Sequence, residues 1–303
     1  MSSGTKNLPA SILHRLKNEA RKRNLPFQEI LTYYGLERFL YRISKSVYCD
    51  RFILKGALVM LTWPSRIVRT TRDIDFSAYI DNDLETILKT LQEICAIEVE
   101  PDAIRFEAES IRVEPIAGRA KQPGVRARII GYIDKVRVHV QIDIGFSDEI
   151  KPEPGLVKFP TLLDLPAPEV YAYHPETVLS EKVEAILYLG EINTRMKDFY
   201  DIWIISNVFQ IEGNLLVESM SATLKNRDTH AETRLPNLFS DGFIKEKSEL
   251  WSTFLSGIGE QNEVASDFKT ILTRIVAFIQ PVLDAITSNG QLDQTWNPSD
   301  GWI

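Results

Sequence analysis

The chain has 303 residues, 44% hydrophobic and 25% charged, which suits a globular protein of one large or two modest domains with a core of its own. A net charge of -7 excludes a generic nucleic-acid coat protein, which is basic over a broad face, but leaves room for an enzyme that touches RNA locally. Cys49 and Cys95 are far apart in sequence and lack metal-ligand spacing, so two quiet buried thiols are expected rather than a disulfide framework or a zinc site.

Residues 8–48 read as two helices. Ile12, Leu13, Leu16 and Ala20 repeat at helical spacing in the first, and Ile30, Leu31, Tyr34, Phe39 and Leu40 do so in the second. A segment rich in β-formers, Phe52-Ile53-Leu54, leads through Lys55-Gly56 into a helix start. Residues 74–79 alternate as a strand, and 83–94 carry Leu84, Ile87, Leu88 and Leu91 as a helix. Strands follow at 106–113, 126–132 and 136–144, with Gly124 and Asp134-Lys135 as turn signals. Residues 151–177 read as a proline-rich connection. Everything after it reads as helical, with helices at 177–190 and 197–209 and a last one at 266–286, bent at Pro281. The pattern predicts an α+β (mixed) fold: an N-terminal helical pair, a mixed sheet with flanking helices, and a mostly helical C-terminal half. No apolar run approaches the ~18–20 residues that span a bilayer, and the N-terminus lacks a signal-peptide stretch, so a cytoplasmic protein with no membrane partner is expected.

Two carboxylates at i and i+2 on a strand point the same way. Asp73 and Asp75 are therefore placed to share a divalent cation, or two close together, as polyphosphate transfer requires. Asp143 lies between Ile142 and Ile144 on a later strand, where it either faces away from the core or completes the metal site. Gly56 at a helix start permits close approach of the backbone to a phosphate. Two basic stretches stand out, His14 to Arg23, and Arg112 through Arg119, Lys121, Arg126 and Arg128. Taken alone they read as a solvated helix face and a polar strand pair. The second also fits a positive track for RNA phosphates.

Four segments occur in an order that resembles a known family: Phe52-Ile53-Leu54-Lys55-Gly56, Thr71-Arg72-Asp73-Ile74-Asp75-Phe76, Ser180-Glu181-Lys182-Val183-Glu184-Ala185, and Arg195 to Trp203. They look like the successive motifs of the AbiEii/AbiGii nucleotidyltransferase toxins, a group within the DNA polymerase beta-like superfamily that includes the mycobacterial MenT toxins. The resemblance implies a nucleotidyltransferase-like sheet over 51–177, an N-terminal helical segment over 1–50, and a helical C-terminal region over 178–303 that completes the active site. It implies Mg2+ bound by Asp73 and Asp75, a catalytic role for Lys182 and Asp201 beside them, and triphosphate binding by Lys55, Gly56, Lys182 and Asp198. Helical spacing places the Lys182 charge off the apolar stripe of its helix. The family's first motif usually carries a second glycine and a small hydroxyl residue, whereas this chain reads Gly56-Ala57-Leu58, which leaves more of the phosphate binding to backbone amides and Lys55.

The expected function is that of a toxin of a toxin-antitoxin pair. It would transfer a nucleotide from a nucleoside triphosphate to RNA, the 3' end of tRNA being the family's favoured acceptor, with a cognate antitoxin as partner. Transfer to a protein or small molecule such as an aminoglycoside is the alternative enzyme, and a non-catalytic antitoxin-binding module is the alternative outside catalysis.

Overall fold

The structure, a computed structural model, describes residues 7–63, 71–116, 123–146, 150–230, 234–258 and 267–303. Two helices open it, α1 (Leu8–Arg23) and α2 (Phe27–Ser44). Asn7 caps α1 by accepting from the Ala10 amide at 3.3 Å, and Asn24 ends it in the left-handed conformation that asparagine tolerates. Strand β1 (Phe52–Lys55), the single turn α3 (Gly56–Val59), β2 (Asp73–Ala78) and helix α4 (Leu84–Cys95) follow. Three long strands come next, β3 (Arg105–Ile116), β4 (Gly124–Ile133) and β5 (Val136–Phe146), then the short β6 (Gly155–Lys158) and β7 (Glu169–Ala172). These strands form one mixed sheet in the order β3-β4-β5-β2-β1-β7-β6, parallel between β2 and β5 and between β1 and β7. The proline-rich stretch expected to be only a connection therefore supplies two strands, each of four residues and too short for alternation to register.

Alternation assigns the two faces of the sheet. Leu54, Ile74, Phe76, Val138, Val140, Ile142 and Ile144 are buried on one of them, and α2 packs against it. Gly35 of α2 comes so close to β5 that a Cβ on it would stand 2.6 Å from Val138 Cγ1. Each large apolar side chain buried this fully contributes about 1.5–3 kcal/mol. With the core on that side, Asp73 and Asp75 of β2 and Asp143 of β5 project from the other. Charged groups brace α2 as well: Arg42 forks onto Asp102, and Glu37 accepts from the Leu162 amide at 2.6 Å. Burial pushes the Glu37 carboxyl up to about 7, with Arg38 pulling the other way. Of the cysteines, Cys95 is buried and its thiol is pushed up to about 12 by that burial, whereas Cys49 is only half-buried.

Contacts divide the chain into two compact units. The first holds α1 to β7. The second takes residues 150–154 and everything from Tyr173: α5 (Pro175–Leu189), α6 (Met196–Val208), β8 (Ile211–Glu212), α7 (Gly213–Asn226), α8 (Leu235–Leu238), α9 (Asp241–Ile258), α10 (Phe268–Thr287), β9 (Thr295–Asn297) and β10 (Gly301–Trp302). Phe199, Phe239, Phe243, Trp251 and Phe268 form its aromatic core. The chain does not close on a helix as expected, because β8, β9 and β10 pair in a small antiparallel sheet. That sheet is held by the Trp296 indole, which donates to the Ser206 carbonyl at 2.7 Å, with Arg274 over its ring. One further expectation is corrected: α10 is long and apolar enough, by length and composition, to cross a bilayer. In this fold its Ile271, Leu272, Ile275, Phe278, Ile279 and Val282 are buried in the second unit, which is what a core helix does.

Candidate active site

Strand register builds the site. Lys55 of β1 stands opposite Asp75 of β2, Asp75 opposite Asp143 of β5, and Asp143 opposite Arg126 of β4. Partners in register share a face, so these four side chains form a charged row across four strands. Asp73 lies one row along, opposite Gln141, and Thr71 Oγ1 donates to its Oδ1 at 2.8 Å. Asp73, Asp75 and Asp143 are half-buried, and each offers an oxygen within 4.8 Å of the others. Three hard, anionic oxygen donors at that spacing fit a small divalent cation such as Mg2+. Lys55 Nζ lies 3.5 Å from where a Cβ on Gly145 would be, which puts the ammonium over β5, two residues along from Asp143.

Gly56 also meets a structural need. The helix it opens is a single turn, so its macrodipole is short. Gly56 turns the chain at φ +67° directly over Asp75, and an added Cβ would clash with Asp75 Oδ2. Gly56→Ala is expected to cost about 1–2 kcal/mol from the left-handed backbone alone, more with the clash, and to displace Asp75. Thermal unfolding with a transfer assay checks this. Adding Asp75→Ala should recover part of the stability but none of the activity, and a fully active Gly56→Ala protein would show that the close approach is dispensable.

The remaining site residues of the sequence lie in the second unit and form their own cluster. Lys182 of α5 is not the outward-facing lysine that helical spacing suggested. It is buried, with Nζ 2.6 Å from Asp201 Oδ2 and 3.4 Å from Asp198 Oδ1, both on α6. Arg195 Nε donates to Asp198 Oδ2 at 2.6 Å. Desolvation pushes the Asp198 carboxyl upward, but Lys182 and Arg195 outweigh it and hold the group below its usual range. The other acids of that motif are also tied down. Arg227 reaches Glu184 at 2.8 Å and Glu181 at 2.9 Å, while Ser180 Oγ donates to Ser219 Oγ at 3.0 Å.

Of the three described arginines in the basic stretch expected to form an RNA track, two are paired with carboxylates. Arg126 forks onto Asp143, and Arg128 pairs with Glu114 at 2.7 Å. Arg112 donates to the carbonyls of Glu109 and Ile111, while Arg119 and Lys121 lie outside the described residues. Arg126 is thus a member of the carboxylate site, and the sequence held the signal for it. Counting back from the tight Asp134-Lys135 turn, where Asp134 adopts φ +54°, brings Arg126 opposite Asp143. Two cavities among the described residues lie away from the carboxylates. One of about 700 Å³ lies past the end of β2, lined by Tyr48, Arg51, Tyr79 and Lys89 among others, and one of about 400 Å³ lies beside Arg42 and Asp102. None of the three carboxylates lines either.

A mixed sheet that gathers three carboxylates from adjacent strands, with a lysine and a glycine turn beside them, places the chain among the nucleotidyltransferases. More narrowly, the sequence model for the nucleotidyl transferase AbiEii toxin of a type IV toxin-antitoxin system matches residues 38–274, well over half of the chain, and the chain belongs to that family. A nucleotide substrate and a cognate antitoxin go with membership. No curated protein matches the chain. Among solved structures, JHP933 from Helicobacter pylori is similar with a TM-score of 0.45 and 13% identity, over 83% of this chain and 90% of that one. An H. pylori protein provisionally assigned as a nucleotidyltransferase has a TM-score of 0.44 and 13% identity, over 83% of this chain and 93% of that one. Likeness at this level carries no weight for the chemistry.

Proposed function

We propose that this toxin transfers a nucleotide from a nucleoside triphosphate to an RNA acceptor, the 3' end of tRNA, in the cytoplasm, and so blocks translation. The half-buried cluster of Asp73, Asp75 and Asp143 is the observation that carries the transfer chemistry. These three residues would hold Mg2+, which when bound offsets the charge of the triphosphate as a Lewis acid. Lys55, on the same face, neutralises phosphate oxygens, and Gly56 keeps the turn close enough for Asp75 to stay in place. Alignment of the acceptor hydroxyl with the α-phosphate, with pyrophosphate leaving, is the work of these fixed groups. Asp143 has both oxygens engaged by Arg126, so it is not open as a base while that pair persists.

One observation favours a second reading, in which the acceptor is a protein or a small molecule: two of the three described arginines of the basic stretch are already paired with carboxylates. Incubation of the pure protein with Mg2+, each α-labelled triphosphate, total RNA and a soluble protein extract separates the two. Label on tRNA is the expected result. Label confined to protein, or to no macromolecule, overturns the RNA reading.

A further inference from the structure

Three carboxylate oxygens within 4.8 Å of one another repel strongly at a half-buried site, where water screens them poorly. Arg126 offsets part of that repulsion. Its Nε donates to Asp143 Oδ1 at 2.7 Å and its Nη2 to Oδ2 at 2.6 Å, a planar fork onto both oxygens of the carboxylate that stands opposite Asp75. The Asp143 bond raises the pKa of the guanidinium, and the charge of Asp73 adds to the effect. On the other side of β4, Glu114 also lies opposite Arg126 in register but bonds Arg128 instead. The Arg126 side chain is 32% exposed against 17% for Asp143, so it can swing out without opening a hole in the core.

We infer that Arg126 is the internal counter-ion of this site: it occupies Asp143 in place of a divalent cation, yields that carboxylate on cation binding, and passes its guanidinium to a phosphate oxygen of the nucleotide. The inference rests on the reading of Asp73, Asp75 and Asp143 as a metal site. Charge balance gives the hand-over its direction. Within this cluster of five groups, Lys55 and Arg126 against three carboxylates leave one negative charge, and a dication turns that into one positive charge. Arg126 then has less to hold it on Asp143, and the triphosphate becomes the stronger acceptor for a bidentate fork. The pair is thus an exchange point between the two ligands of the reaction. A purely structural ion pair would behave differently, since its loss would disorder Asp143 and weaken cation binding.

The test is calorimetric titration of Mn2+ into the nucleotide-free protein, then of a non-hydrolysable triphosphate analogue at saturating Mn2+. Arg126→Gln should bind Mn2+ on the order of tenfold more tightly than wild type, because the competing cation is gone, and the analogue on the order of tenfold more weakly. Arg126→Lys, which keeps the charge without the fork, should bring Mn2+ affinity back toward wild type and restore analogue binding only in part. It also guards against a folding defect in the glutamine variant. Equal or weaker Mn2+ binding by Arg126→Gln overturns the counter-ion role, and unchanged analogue affinity overturns the hand-over. If wild type binds Mn2+ and Asp73→Asn abolishes binding while Arg126→Gln is unchanged, the inference alone falls. If no variant binds Mn2+, the metal-site reading falls and takes the inference with it.

Discussion

Asp73→Ala and Asp75→Ala should each reduce nucleotidyl transfer by roughly a thousandfold or more, the loss expected when a ligand of a transition-state-stabilising cation is removed. Stability should hardly change. Both side chains project from the face of the sheet opposite Ile74 and Phe76, so neither substitution opens a cavity in the core. Each also removes one of three mutually repelling carboxylates, so a small rise in the thermal midpoint is expected. Asp73→Ala gives up the hydrogen bond from Thr71 and its attraction to Arg126. Label transfer at saturating Mg2+, measured beside thermal unfolding, checks both halves. Near wild-type turnover would remove the residue from the metal site, and loss of fold would show that these acids hold the sheet together.

Lys182→Ala should be the most destabilising of the site substitutions. The Asp201 side chain is 0% exposed, and the lysine that bonds it at 2.6 Å is itself buried. Breaking a buried ion pair by removing one partner typically costs about 3–5 kcal/mol. Asp198 keeps Arg195 on its second oxygen. Urea unfolding of the variant should therefore show an earlier transition, and adding Asp201→Leu should recover part of the loss. The family resemblance makes a different claim for Lys182, contact with the triphosphate. A variant that keeps wild-type stability but binds a triphosphate analogue more weakly supports that contact over the framework role.

The contrast over Lys182 shows where sequence reasoning stops. Val178, Leu179, Val183, Ile186 and Leu187 repeat at helical spacing, and an apolar stripe of that kind places a lysine at 182 outside. In the fold, Glu176, Ser180 and Glu184 of α5 are buried too, because α6 and α7 pack against it and Arg227 reaches in to pair with its acids. Buried ion pairs leave no trace in hydrophobic periodicity, since each partner alone looks like a surface residue. The carboxylate row was more legible. Period-two alternation gives the face of Asp73, Asp75 and Asp143 directly, and the Asp134-Lys135 turn fixes the pairing of β4 with β5. The parallel pairing of β2 with β5 is non-local and had no such marker. Strands β6 to β10 are two to four residues long and lie among prolines, between helices or after the last helix, below the length at which any period can be seen.

The most direct test of the account is pyrophosphate release by the wild-type protein from each nucleoside triphosphate, with tRNA present, in Mg2+ and in excess chelator. Metal-dependent nucleotidyl transfer predicts one pyrophosphate for each nucleotide joined to the acceptor, in Mg2+ only, and none from Asp75→Ala. Release that persists in chelator, or that the Asp75 variant retains, would contradict the assignment of Asp73, Asp75 and Asp143 as the metal centre of a nucleotidyltransferase.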